Sequence, residues 1–257
     1  MKHSFTILFI LVCLFSISAK GITEQRAKQK NELYSSSIHA KSGMHQLWNE
    51  LLQKHVTKDG LVNYKTFKLD HDKLLKYISV LSTCRAHENF NLLSREKKIA
   101  FWINAYNALT IDLILKYYPI KSIKDIQNPW GQRLWEMGNK IYSLEEIEHH
   151  ILRKMNEPRI HFAIVCASFS CPKLQNIAFT STDLELQLTH ASKQFLRDRT
   201  RNEISKNSIK ISKIFKWFLK DFTGNESLID FLNRYTEIQI SPNAKKQYKD
   251  YNWTLNE

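Results

Sequence analysis

The stretch that most constrains the fold runs from Ser94 through Arg95-Glu96-Lys97-Lys98 into Ile99-Ala100-Phe101-Trp102-Ile103-Asn104-Ala105-Tyr106-Asn107-Ala108-Leu109-Thr110-Ile111 and ends at Tyr117-Tyr118-Pro119. On a 3.6-residue period its apolar side chains cover nearly the whole circumference, which is the pattern of a helix buried on all sides. Ser94 supplies an N-cap and Pro119 a stop. Asn104, Asn107 and Thr110 recur at i, i+3 and i+6, so three polar groups form a row inside a buried element and must find partners there. Asn104 and Asn107 sit on one side, where both can address the same neighbour.

Shorter elements surround this helix. Met44, Leu47, Trp48, Leu51, Leu52 and His55 share one helical face, and Leu74, Tyr77, Ile78 and Leu81 share another. Between them Lys58-Asp59-Gly60 reads as a turn into the strand-like Leu61-Val62-Asn63-Tyr64. Leu134 to Tyr142 has the form of a hairpin turning at Gly138-Asn139, and Glu203 to Ile211 that of a second turning at Lys206-Asn207. Ser143-Leu144-Glu145-Glu146 and Thr182-Asp183-Leu184-Glu185 match the capping box, and Ser212 and Ser227 are further helix starts. Ile160 to Cys166 is a short apolar run with the look of a buried strand, and one or two late strands are expected within Thr236–Ile240 and Tyr248–Leu255. These elements predict an α+β fold: a mainly helical single domain over residues 44–257, with a central buried helix and a small, mostly antiparallel sheet.

Ahead of the domain, Met1-Lys2-His3, the apolar Phe5 to Ile17 and the small residues Ser16-Ile17-Ser18-Ala19 have the order of a secretory signal peptide over residues 1–19. Val12 before Cys13 argues against a lipoprotein cleavage site. Residues 20–43 are polar and aperiodic and read as a linker. The expected product is exported, periplasmic or extracellular, with no transmembrane segment in the mature chain, because the long helix carries two asparagines, Asp112 and Lys116 in its interior.

The formal charge is +13, of which the signal peptide holds only Lys2. The excess concentrates in residues 193–220, where Phe195, Phe215 and Phe218 fit a core stripe and no nucleic-acid reading module is present. A solvated basic face suited to an anionic cell-envelope component, a peptide or a glycan is the expectation, and nucleic acid is not. After processing Cys84, Cys166 and Cys171 remain, an odd number for an oxidising compartment.

On the helix that opens at Ser143, Leu144, Ile147, Ile151 and Met155 make the apolar stripe. At 100° per residue Glu148 falls inside it, His149 at its margin and His150 opposite. A carboxylate aimed into a core costs free energy unless it is paired.

Several blocks together resemble the uncharacterised family known as domain of unknown function 547. They are Phe101 through Ile111, Ser143-Leu144-Glu145-Glu146-Ile147-Glu148-His149, Arg159-Ile160-His161-Phe162-Ala163 continuing to Cys166-Ala167-Ser168 and Ser170-Cys171-Pro172, and Ile214-Phe215-Lys216-Trp217-Phe218 with Asp221-Phe222. The blocks run in the family's order over roughly residues 44–235. The closing Tyr251-Asn252-Trp253-Thr254-Leu255-Asn256 resembles the tail of exported members from the Bacteroidetes group. The resemblance implies no activity.

Within those blocks Cys166, His161, Glu148 and His149 are the candidate catalytic residues of a cysteine-dependent hydrolase or acyl-transfer site, since a thiol needs an imidazole to activate it and a third group to orient the imidazole. Asn104, Asn107, Ser168 and Cys171 form the accompanying polar cluster. If residues 160–166 are extended, His161 and Cys166 lie ~17 Å apart on opposite faces, which precludes a dyad unless the strand breaks. The alternative is a non-catalytic peptide- or glycan-binding or scaffold domain with a structural Cys166–Cys171 disulfide, a core His161, and Glu148 held by Arg159 or a backbone amide. Cys166 and Cys171 with His161 or His149 are also zinc-type ligands, but the C-x4-C spacing is looser than the common one, and no metal or cofactor is assigned.

Overall fold

In the computed structural model, residues 43–224 and 226–257 are described; the expected signal peptide and all but the last residue of the expected linker lie outside them. Helices α1 (Gln46–His55), α2 (His71–Ala86) and α3 (Arg95–Tyr117) open the domain. The Ser94 hydroxyl caps α3 by accepting from the Lys97 amide at 3.3 Å, and every residue from Ile99 to Leu115 is buried. This is the all-round burial that the apolar pattern demands. Its one interior charge is compensated: Asp112 receives Trp135 Nε1 at 2.6 Å, His71 Nε2 at 2.7 Å and Lys116 Nζ at 2.7 Å. A buried carboxylate without such partners would cost several kcal/mol.

The 138–139 turn joins β1 (Trp135–Met137) to β2 (Lys140–Tyr142), antiparallel, with Gly138 at φ +67°. A left-handed residue there is what a tight hairpin needs. The chain then departs from expectation. The Ser143 hydroxyl accepts from the Glu146 amide at 3.1 Å, but the Glu146 carboxylate pairs with Arg133 and Lys140, so the reciprocal half of the capping box is missing. In place of a uniform α-helix, Glu146–Leu152 is π-helical and Arg153–Met155 a 3-10 turn, ended by Asn156 at φ +52°. The wider turn changes the buried face: Leu152 is buried, while Ile151 and Met155 of the expected stripe are only partly so.

A second correction concerns Ile160 to Cys166. No strand forms; Pro158–Phe162 is a 3-10 turn, with Pro158 at its first position and the Glu157 side chain accepting from the Arg159 amide. Proline's fixed φ favours such a start, and a seven-residue apolar run does not by itself separate strand from buried helix. The Thr182 capping box is also not formed. At the start of α4 (Leu184–Arg197) Asp183 makes no side-chain cap, Thr182 turns to the Asp183 carboxylate, and Glu185 is taken by Arg159 at 2.6 and 2.7 Å.

The C-terminal part has β3 (Glu203–Ile204) and β4 (Ser208–Ile211) as the expected hairpin, then the short helices α5 (Ile214–Trp217), α6 (Leu219–Phe222) and α7 (Leu228–Asn233), the last with a complete Ser227–Asp230 capping box. Strand β5 (Lys245–Tyr248) adds to β4 in parallel. The late strand thus falls between the two expected segments and shares only Tyr248 with them. Thr236–Ile240 forms no strand, the Ile240 main chain closing on the Asn233 side chain, and strand pairing in residues 251–256 is limited to the isolated bridges Ser122–Thr254 and Ser168–Leu255. Two apolar clusters result, a large one around α3 and a phenylalanine-rich one of Phe162, Phe195, Phe215, Phe222 and Phe231. The 158–165 segment straddles them, with Ile160 and Ile164 in the first and Phe162 in the second.

Candidate functional site

Where the two clusters meet, a cavity of about 240 Å3 opens, lined by Glu148, His149, His161, Cys166 and Cys171 together with Tyr106 of α3 and a wall of aromatic rings. That is room for one ring-sized group. The π-helical turn carries two consecutive side chains that line the cavity. These are Glu148 and His149, and His150 is exposed.

Glu148 sits among apolar groups and has one hydrogen-bond donor close by, the Tyr106 hydroxyl at 3.1 Å from Oε2. Burial raises its carboxyl to about 7, against the opposing pull of that hydroxyl and of Arg153. A carboxyl of this kind exchanges its proton near neutral pH.

A chain of polar contacts forms the side wall. Arg153 Nε and Nη2 grip Asp221 at 2.6 and 2.8 Å, and Arg153 Nη1 reaches His149 Nδ1 at 3.0 Å. The Asp221 Oδ2 that accepts from Arg153 Nε also meets His161 Nε2 at 2.7 Å. Burial would raise the Asp221 carboxyl, but the hydrogen bonds from Arg153 and His161 outweigh it and hold it well below the usual carboxylate range. Burial lowers both imidazoles, with Arg153 adding to the effect at His149 and Asp221 opposing it at His161. The consistent protonation is an ionised Asp221 between a guanidinium and a neutral His161. Arg153 has no acceptor, so His149 accepts at Nδ1 and carries its proton on Nε2; His161 donates through Nε2 and keeps Nδ1 as an acceptor. The cavity therefore has one neutral donor and one neutral acceptor, each fixed in tautomer by the same carboxylate–guanidinium pair.

Cys166 and Cys171 form a disulfide, and Cys84 is the free thiol among the described cysteines. The turn between the bonded residues carries Ala167 at φ +60°, a left-handed conformation that costs an alanine of order 1 kcal/mol. The C-terminal strap holds it, since the Asn256 amide donates to the Ala167 carbonyl at 3.1 Å and the Phe169 amide to the Thr254 carbonyl at 2.7 Å. The strap also delivers two rings: Tyr251 and Trp253 lie 4.5 Å apart, Trp217 stacks on Trp253 at 5.8 Å, and Trp130 meets Trp253 edge-on at 5.8 Å. His161 stacks on Phe218 at 4.0 Å.

Of the residues singled out from the sequence, Glu148, His149, His161, Cys166 and Cys171 surround one cavity. Ser168 is buried behind it, 3.1 Å from Cys166 Sγ. Asn104 and Asn107 do not line it. They also hold separate neighbours instead of one: Asn104 closes both ends of its amide on the Phe179 main chain at 2.8 and 2.9 Å, and Asn107 closes on the Ala163 carbonyl and Val165 amide at 2.9 Å each. Asn107 thereby positions the segment between His161 and Cys166. Glu148 is not held by Arg159, which is engaged by Glu157 and Glu185. The parity argument against His161 and Cys166 lapses with the strand. Sequence reasoning left Tyr106, Arg153, Asp221, Trp217, Tyr251 and Trp253 without a site role, although all but Arg153 stand in the blocks that carry the family resemblance. Among the described residues no group of three or more His, Cys, Asp or Glu is arranged to hold a metal ion.

The central helix, the π-helical turn and the disulfide loop lie within residues 90–196, while Asp221, Trp217 and the aromatic strap lie beyond them. Searches of curated proteins and of solved structures found no match. Residues 90–196 match the family described as "Protein of unknown function, DUF547", which supports the resemblance read from the sequence and brings no activity with it.

Proposed function

We propose that the cavity is the binding site of an exported, envelope-associated domain and that it takes one sugar ring of a glycan. The observation that carries this reading is the pairing of a fixed neutral donor, His149, with a fixed neutral acceptor, His161, and a protonatable Glu148, all lining one cavity with Trp217, Trp253 and Tyr251. Hydroxyl groups need alternating donors and acceptors, and the C–H face of a sugar packs on aromatic rings. The basic surface of residues 193–220 would draw an anionic polymer toward the domain.

Binding without hydrolysis is favoured on two grounds. While Cys166 and Cys171 are bonded the cavity has no thiolate to act as nucleophile. Glycosidic cleavage ordinarily uses two carboxyl groups, and Asp221 is committed to Arg153 and His161. The test is calorimetric titration of the mature protein with oligosaccharide fragments of the envelope, with peptide fragments as a parallel arm. Saturable glycan binding that Trp253→Ala abolishes is expected. Binding of peptides alone, or of neither class, overturns the reading.

A further inference from the structure

The two hydroxyls beside the disulfide reach both sulfurs, Ser168 lying 3.1 Å and Tyr251 3.5 Å from Cys166 Sγ, and Cys171 Sγ additionally receives a backbone amide. The Cys166 amide points at Cys171 Sγ from 3.1 Å, the Tyr251 hydroxyl from 3.2 Å and the Ser168 hydroxyl from 3.3 Å, and the two hydroxyls are 3.1 Å from each other. A disulfide sulfur is a weak acceptor, so little is gained by directing an amide and a hydroxyl at it. A thiolate is a strong acceptor and gains a great deal. Each hydroxyl has one proton, so the amide and Tyr251 can donate to sulfur while Ser168 donates to the Tyr251 oxygen. Burial raises the Tyr251 phenol to about 12, which keeps it a donor across the neutral range. The two sulfurs also differ in access: both border the cavity, but Cys166 is partly exposed while Cys171 is 3% exposed.

We propose that Cys166–Cys171 is an exchange-competent redox pair, in which an incoming thiol attacks Cys166 and Cys171 leaves into the pocket formed by the Cys166 amide, Tyr251 and Ser168. The step balances with a dithiol as reductant. Its first thiolate forms a bond to Cys166 Sγ while the Cys166–Cys171 bond breaks and its electron pair stays on Cys171. Its second thiolate then attacks the mixed disulfide and releases Cys166. The dithiol is oxidised to a disulfide, the protein pair is reduced to two thiols, and the two protons from the dithiol end on the protein sulfurs or in solvent. This activity goes beyond glycan binding and does not depend on it; a thiol-bearing peptide or small molecule is the substrate class.

The test uses the mature oxidised protein with glutathione as the probe. A brief reaction quenched by acid should trap a mixed disulfide that mass spectrometry maps to Cys166; mapping to Cys171, or no adduct under native conditions, overturns the proposal. Equilibration in glutathione redox buffers supplies a second readout. Loss of the Tyr251 hydroxyl in Tyr251→Phe should shift the balance toward the disulfide about fivefold, the effect of one hydrogen bond, with Ser168→Ala shifting it the same way by less. A far-ultraviolet spectrum shows whether either variant has lost its fold, and in that case the trapping result on the unaltered chain decides. Equal midpoints in folded variants would overturn the thiolate pocket.

Discussion

The asparagines of α3 and the histidines of the cavity are both polar pairs set in apolar surroundings, and they differ in what they leave unmet. Asn104 and Asn107 spend donor and acceptor on main-chain groups of Phe179, Ala163 and Val165. His149 and His161 each spend one ring nitrogen, on Arg153 and Asp221, and both line a space large enough for a ligand. A side chain whose capacity is exhausted inside the protein has a structural role. One that is fixed in tautomer and half used is ready for a ligand. Residue type alone does not separate the two cases, since both are buried polar groups of the kind that must be paired.

The comparison can be broken most directly at Asn107. Asn107→Ala strands a buried carbonyl and a buried amide, so it should cost about 3 kcal/mol and lower the melting temperature by several degrees. Retention of wild-type stability would show that water replaces the amide and that the row on α3 is incidental. Asp221→Asn should cost less, about 2 kcal/mol, by weakening the clamp of Arg153, and should release His161 from its fixed tautomer. Ring-nitrogen NMR shifts of His161 that stay unchanged in this variant would remove Asp221 from the site.

A third prediction concerns pH. The Glu148 carboxyl is raised to about 7 in the folded chain, so its contribution to stability is complete in acid and is lost as pH climbs through that value. Asp221, depressed by Arg153 and His161, acts in the opposite sense: its contribution is present above the usual carboxylate range and is lost as pH falls below it. Stability should therefore peak in the mildly acidic range. Glu148→Gln should remove the decline with rising pH in thermal melts taken between about pH 4.5 and 7, and an unchanged decline would assign it to another group. The smallest effect belongs to the exposed neighbour: His150→Ala should alter stability by less than about 0.5 kcal/mol and leave ligand binding untouched. A large loss there would mean that the π-helical turn does not divide the two histidines as described.

The central helix was legible because its signal is redundant. A cap, a stop and a long run of apolar residues all agree, and Ser94, Pro119 and Ile99 to Leu115 behave accordingly. Both hairpins were legible from their turn residues. The π-helical turn was not, because Ser143-Leu144-Glu145-Glu146 is an ordinary α-helix start. Glu146, which the capping box would turn back to Ser143, pairs instead with Arg133 and Lys140 of the hairpin. The supposed strand at 160–166 failed for a similar reason: an apolar run fits either period, and no neighbouring strand was there to pair with it.

Local sequence, then, determined which segments are buried and which residue types carry chemistry, since hydrophobic periodicity, caps and turn residues act over a few positions. Tertiary structure decided which polar groups keep a free valence. Glu148 and His149 meet His161 at one cavity between two apolar clusters, Cys166 meets Cys171 across a strained Ala167, and Tyr251 arrives from the far end of the chain. Hydrogen-bond capacity is exhausted or spared by partners 40 to 80 positions away, and no local pattern encodes them.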